Sequence, residues 1–318
     1  MGTEGRTITE SCLKMQFDPY IFTLSCLNKK FDSCDEISKG LDKRSPESKV
    51  IWAGLLEPGS PAVVIESGFF YEAFHLDKFG LYHHSSLCTP EAIRQIEAFD
   101  APTSAKDVLE HVKNKTGYVS KYSQGMDKKY KDEGWTWDGV VLASQNPTDR
   151  SIRSIASPAR YYEFIEGACQ HYGSDLFIKL HPWNTGEPRT KIERIADKYG
   201  VVCAKTDHKI ISKCQFVLVF NSTFAIDCMI RDIPVAQFAP GYFWQMPSVA
   251  YTKWEYPDEI KTDVAFGNKL CDFLAWKYCF DYTMPREKWL DMLRCCLVSN
   301  ELFPMPEEFS YAGYKLRA

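Results

Sequence analysis

The stretch DLFIKLHP (Asp175–Pro182), EPRTKIERIADKYG (Glu187–Gly200), VVCAKT (Val201–Thr206) decides the fold. A nearly unbroken apolar run ending in His-Pro reads as a buried strand. The charged segment after it reads as a helix closed by glycine, and the third piece as a short strand. The same alternation extends both ways. Toward the N-terminus, WDGVVLASQ (Trp137–Gln145) is a strand and PARYYEFIEGACQHYG (Pro158–Gly173) a glycine-closed helix. Toward the C-terminus, DHKIISKC (Asp207–Cys214) is a short helix and FVLVFNS (Phe216–Ser222) a strand. STFAIDCMIRD (Ser222–Asp232) is then a helix and PVAQFAP (Pro234–Pro240) a strand. Apolar strands separated by helices predict a parallel sheet covered on both faces, so residues 137–240 form one Rossmann-type unit.

Upstream, VIWAGLL (Val50–Leu56) and PAVVIESGFF (Pro61–Phe70) read as strands of a second, smaller unit of the same kind. TPEAIRQIEAF (Thr89–Phe99) is a helix with Thr89 as N-cap, Pro90 in the first turn, and Ile93, Ile96 and Phe99 on one face. SAKDVLEHVKNK (Ser104–Lys115) is another. The charged, glycine-flanked SQGMDKKYKDEG (Ser123–Gly134) marks a boundary, with Lys128, Lys129 and Lys131 on a solvated face. Beyond residue 261, KLCDFLAWKYCF (Lys269–Phe280) and REKWLDMLRCCLV (Arg286–Val298) read as helices. The expected organisation is 1–132, 133–260 and 261–318, the last piece packing back across the first two.

Composition narrows the function. With 38 basic and 42 acidic residues the net charge is −4, which argues against nucleic-acid binding through a broad basic surface. The 12 cysteines are scattered without a C-x-x-C, and no apolar leader opens the chain. Cys203, Cys214 and Cys228 sit among apolar neighbours and read as small buried hydrophobes in a reducing, cytoplasmic compartment. No apolar run is long enough to span a bilayer, so any membrane contact is peripheral.

In open α/β sheets ligands bind beyond the carboxyl ends of the strands. Four strand ends carry polar residues: Glu66 and Ser67 after VVI, Ser144 and Gln145 after VVLA, His181 after FIKL, and Asn221, Ser222 and Thr223 after FVLVF. The last trio places Ser222 or Thr223 at a helix start, where free N–H groups favour a phosphate; a plain N-cap is the simpler alternative. His181 is either structural or a donor to a phosphate or sugar hydroxyl. His83 and His84 lack the acid or cysteine spacing of a metal site. Glu66 and Asp77 suit acid/base or nucleophilic work at an anomeric carbon; alternatively one caps a turn and the other pairs with Lys78 or Arg94. There is no GxxxxGK[ST], GxGxxG, HExxH or GxSxG, and no D-x-D of the kind that holds a metal–nucleotide, which favours a metal-free mechanism with no cofactor.

VVIESGFF with LDKFGLYHHSSL, VVLASQNPTDRSI, LFIKLHP and FNSTFAIDCMIRDIPVAQFAPGYFWQMPSVAYT together resemble, in order, segments of the bacterial capsule polysaccharide biosynthesis proteins, which include the β-Kdo transferases. The likeness runs over roughly residues 50–252. It implies a GT-B arrangement: two Rossmann-type domains facing a cleft, the acceptor side N-terminal and the nucleotide side C-terminal, with C-terminal helices. The family's E-x-G-F is matched by Glu66, Gly68 and Phe69, and its aspartate before G-[IL]-Y by Asp77, Gly80, Leu81 and Tyr82. These imply Asp77 as nucleophile or base with Glu66 as partner. Gln145, Lys179, His181 and Pro182 (the family's K-x-H-P), and Asn221, Ser222 and Thr223 are the implied donor contacts, beside Ser144. Phe70 and Tyr71 stand where the family often has arginine and a second glycine, and Asp227 where it favours glutamate.

The expected activity is transfer of a sugar from a nucleotide sugar to a glycan or glycolipid acceptor. The resemblance implies CMP-Kdo as donor, with a UDP- or GDP-sugar as the alternative. Two rival classes are a non-catalytic sugar- or nucleotide-binding factor for polysaccharide assembly or export, and a sugar-nucleotide epimerase.

Overall fold

A computed structural model describes residues 6–7, 50–52, 63–116, 135–281 and 283–317. The apolar segment QFDPYIFTLSCL, the boundary Ser123–Gly134 and most of VIWAGLL lie outside the described residues. The chain divides into two compact units, residues 1–124 with 272–318, and residues 125–271.

The second unit contains the deciding alternation. Its strands are β5 (Val140–Ala143), β6 (Leu176–Lys179), β7 (Val202–Ala204), β8 (Phe216–Val219), β9 (Val235–Gln237) and β10 (Ala250–Tyr251). They form one sheet in the order β10-β9-β8-β5-β6-β7, every pairing parallel. From β5 the chain winds outward through β6 and β7, then crosses back to lay β8, β9 and β10 on the other side. The sheet therefore reverses between β5 and β8.

In this unit, helix α4 (Pro158–Tyr172) is N-capped by Ser157, and α5 (Gly186–Lys198) follows β6; Gly173 and Gly200 leave them at φ 54° and 68°, a region costly for other residues. Shorter helices are α3 (Arg150–Arg153) and α6 (Phe224–Met229), and α7 (Val264–Phe273) carries the chain to the unit boundary. Leu142, Ile178, Leu218, Phe164, Phe220 and Phe238 meet in one buried core. Each such side chain contributes roughly 1.5–3 kcal/mol on burial. DHKIISKC forms only a single 3₁₀ turn, His208–Ile211, capped by Asp207. Cys228 is buried, while Cys203 and Cys214 are partly so, and burial lifts these last two thiols to about 12, where they are inert.

The first unit departs from the expected second Rossmann sheet. Among the described residues it holds β1 (Arg6–Thr7), β2 (Val50–Trp52), β3 (Val63–Ser67), β4 (Ala73–Asp77) and β11 (Cys279–Asp281), in the order β1-β2-β3-β4-β11. Only β2 and β3 pair in parallel; the other three pairings are antiparallel. The turn from β3 back into β4 is tight: Gly68 N–H donates to the Ala73 carbonyl at 2.7 Å, and a Cβ on Gly68 would sit 2.9 Å from Ala73 Cβ. AFHLD is buried at all five positions, so His75 and Asp77 interrupt the apolar pattern that would have announced a strand.

Helices α1 (Pro90–Ala98) and α2 (Ala105–Thr116) fall where expected, with Thr89 Oγ1 accepting from Ala92 N–H at 3.1 Å. KLCDFLAWKYCF is not one helix. After α7 comes a π-helical turn, Leu274–Tyr278, and then β11, which occupies the open edge of β4. Edge pairing overrides helical periodicity there. Helices α8 (Arg286–Val298) and α9 (Tyr311–Arg317) complete the unit.

Candidate functional site

The strand ends of the second unit converge as their topology requires. Ser144 and Gln145 leave β5, Asn221 leaves β8, and both Gln145 and Asn221 are nearly inaccessible, at 6% and 4% exposure. They join directly across the reversal. Gln145 Nε2 donates to Asn221 Oδ1 at 3.0 Å, and Asn221 N–H donates to Gln145 Oε1 at 3.1 Å. Ser151 of α3 anchors the pair: Gln145 Nε2 reaches its Oγ at 3.3 Å, and Asn221 Nδ2 its carbonyl at 2.8 Å. Tyr161 of α4 braces the base, its hydroxyl accepting from Gln145 N–H at 2.6 Å, and burial raises its pKa well above the ordinary phenol value.

The loop after β6 closes on the same edge. Ser144 Oγ accepts from His181 N–H at 2.9 Å and from Asn184 Nδ2 at 3.1 Å. Asn184 Nδ2 also donates to the Gln145 carbonyl at 3.2 Å. His181 Nδ1 accepts from Trp183 N–H at 3.2 Å, an arrangement in which the ring's N–H is the one on Nε2. His181 is thus built as an Nε2–H donor.

Lys179, Ser222 and Thr223 lie around the β6 and β8 ends with different partners. Lys179 Nζ donates to the Thr206 carbonyl at 2.7 Å and stands 5.7 Å from the centre of the Phe224 ring. Ser222 Oγ accepts from Phe224 N–H at 3.1 Å; Thr223, the N-cap, makes no capping bond. Helix α6 has six residues, fewer than expected, so its dipole is short. Beside it, His208 Nε2 is 3.9 Å from Asp227 Oδ1, and Asp227 is 3.5 Å from Arg231. Burial lowers the His208 pKa to about 4; Asp227 pulls it up, while Lys179 and Arg231 push it down.

In the first unit Glu66 is partly exposed on β3, opposite His75 on β4. Asp77 is 1% exposed. Its Oδ1 accepts from Phe79 and Gly80 N–H at 2.7 and 3.0 Å. Its Oδ2 accepts from the Ser85, Ser86 and Tyr278 hydroxyls at 2.6, 2.8 and 2.6 Å, and from Ser86 N–H at 2.9 Å. Six donors therefore meet about four lone-pair directions. The carboxylate ties the loop 78–88 to the π-helical turn. Lys78 pairs with neither acid but donates to the Ser299 and Glu301 carbonyls, and Arg94 pairs with Glu91. The His83 and His84 rings lie 3.9 Å apart, and burial lowers the His83 pKa to about 4.

Asn184, Ser151, Trp183 and His208 were not singled out from sequence. Asn184 stands three residues after His181, just past the stretch LFIKLHP. Ser151 and His208 carried no signal, since each acquires its neighbours only through the fold.

The second unit is thus a doubly wound parallel α/β sheet with polar residues gathered at its reversal. No known family's profile matches the sequence, and no curated protein does. Solved structures similar to it include two β-Kdo transferases, a kind of protein within the family its motifs resemble. One is the KpsC β-Kdo 2,7 transferase of Thermosulfurimonas dismutans, at 17% identity over 87% of this chain and 96% of that one, TM-score 0.49. The other is the KpsC β-Kdo 2,4 transferase of the same organism, at 14% identity over 73% and 80%, TM-score 0.46. A UDP-GlcNAc 2-epimerase of Methanocaldococcus jannaschii is similar at 10% identity over 89% and 78%, TM-score 0.31.

Proposed function

We propose that the chain is a glycosyltransferase of GT-B type that moves a sugar from a nucleotide-sugar donor to a glycan or glycolipid acceptor without a metal. The observation that carries the reading is the Gln145–Asn221 pair joining the β5 and β8 ends, where doubly wound sheets hold their ligands. In this reading Ser144 and Asn184 set the His181 loop. The His181 Nε2–H and the Lys179 ammonium face charge developing on the leaving phosphate. Asn221, Ser222 and Thr223 meet the donor from β8. The sequence resemblance supplies the acceptor side, residues 66–82, and the sugar class, with CMP-Kdo ahead of UDP- and GDP-sugars.

Glu66, partly exposed, is the residue we assign to acid/base work. Asp77 is assigned to positioning, because its donors leave no free direction toward a sugar carbon. A second reading, a binding protein that does not turn donor over, draws on that same saturation of Asp77. Incubation with CMP-, UDP- and GDP-sugars separates the two: an enzyme releases free nucleotide by slow hydrolysis even without acceptor. Binding to every donor with no nucleotide release overturns transfer, and no binding at all overturns both.

A further inference from the structure

Trp183 is 42% exposed, yet the loop carrying it is held from every side. Its own N–H donates to His181 Nδ1, and Asn184 N–H closes a turn on the His181 carbonyl at 2.9 Å. Asn184, wholly buried, pins the following residue to Ser144 and Gln145. Lys205 Nζ donates to the Pro182 carbonyl at 2.8 Å, fixing the residue before. The indole meets the His181 ring edge to face, centroids 6.2 Å apart. Trp135, also exposed, packs its ring against Phe177 at 5.7 Å, as a core-edge aromatic does. Trp183 instead presents a large apolar plane from a backbone already ordered, so little conformational entropy remains to be lost when something stacks on it.

What lies beside that plane selects the occupant. His181, whose ring meets the indole, offers an Nε2–H donor; Lys205 donates to the carbonyl of Pro182, one residue before Trp183, and Lys179 to that of Thr206 after the neighbouring strand. A flat ring joined to an anionic group fits both features at once, which is the chemistry of a nucleotide.

We propose that Trp183 is the base-stacking platform of the donor site, so that a nucleotide lies with its base on the indole and its phosphate toward His181 and Lys179. This rests on the function proposed above and adds where the base sits. Stacking of one base on an aromatic side chain corresponds to about 5- to 150-fold in Kd.

The experiment is calorimetric titration of the full chain with CMP, UDP and GDP, and with ribose 5-phosphate as a ligand without a base. Trp183→Ala is expected to weaken the binding nucleotide at least 5-fold and leave ribose 5-phosphate unchanged. Trp183→Phe is expected to recover most of the loss, since it keeps a plane. An unchanged nucleotide Kd in Trp183→Ala overturns the stacking role alone. Equal weakening of nucleotide and ribose 5-phosphate also overturns it, by showing that the loop and not the indole was lost. Absence of any nucleotide binding in the unaltered protein overturns this inference together with the proposed function.

Discussion

Asp77→Asn tests whether that carboxylate is a reagent or an anchor. The substitution keeps shape and volume but replaces one acceptor oxygen with an NH2. If the NH2 takes the Oδ1 position, it faces the N–H groups of Phe79 and Gly80, which cannot turn away. At the Oδ2 position it faces three hydroxyls that can rotate to accept, of Ser85, Ser86 and Tyr278, but also Ser86 N–H. The second orientation is therefore preferred, and it loses the charge assistance on every bond. Hydrogen bonds to a charged group contribute about 1.5–3 kcal/mol against 0.5–1.5 for neutral ones, a difference of about 1 kcal/mol each, so over the roughly four acceptor directions the set weakens by about 4 kcal/mol.

Equilibrium urea unfolding measures this as a lower midpoint at unchanged slope. In a thermal melt the loss corresponds to roughly 5–15 °C for a unit of this size. Turnover of donor, followed in parallel, is expected to fall only as far as the loop loosens. A midpoint equal to the unaltered protein's, with turnover abolished, refutes the anchoring role and returns Asp77 to the chemistry.

Two further outcomes follow from buried charge. Lys315 Nζ lies 2.7 Å from Asp281 Oδ2 and pairs also with Glu72, and Asp281 is fully buried. Burial pushes the Asp281 pKa up despite the lysine, so Lys315→Met strands that acid and is expected to lose about 3–5 kcal/mol in urea unfolding; restoration by added Asp281→Asn confirms the cause, and no loss refutes it. His208 titrates at about 4 in the fold against an ordinary 6.5. The unfolded chain takes up the proton first, so the contribution of neutral His208 is complete above pH 6.5 and is lost as pH falls toward 4, by about 3 kcal/mol in all. Asp227, Lys179 and Arg231 are the charges around it. His208→Gln is expected to flatten the pH dependence of stability across that window, and identical slopes for both proteins refute the burial.

Much of the second unit was legible because its information is local. VVLASQ, FIKLHP and FVLVFNS each carry an apolar strand and its polar end in consecutive residues, and parallel topology then brings those ends to one edge. Gln145, His181 and Asn221 could be picked without knowing any distance, because a strand's carboxyl end is a topological address. The first unit was less legible. The strand AFHLD hides behind two polar residues, and CFD hides inside an apolar run of helical period. They pair with each other across 206 positions, for Phe74 and Phe280 taken as 280 − 74, so neither segment announces its partner.

The same distinction separates binding groups from chemical ones. A residue's place at a strand end follows from sequence neighbours, whereas the use of a carboxylate follows from the donors that reach it. Spacing put Glu66 and Asp77 on an equal footing. The difference between them arises from Tyr278, 201 positions beyond Asp77, and from Ser85 and Ser86, which the loop folds back. Tyr278 reaches Asp77 because the helix leading to it widens into a π turn before β11 pairs with β4. A carboxylate tied into that junction orders the loop following the hairpin, while Glu66 on the preceding strand is only partly buried. Two acids a dozen residues apart thus acquire different surroundings from contacts that neither segment encodes alone.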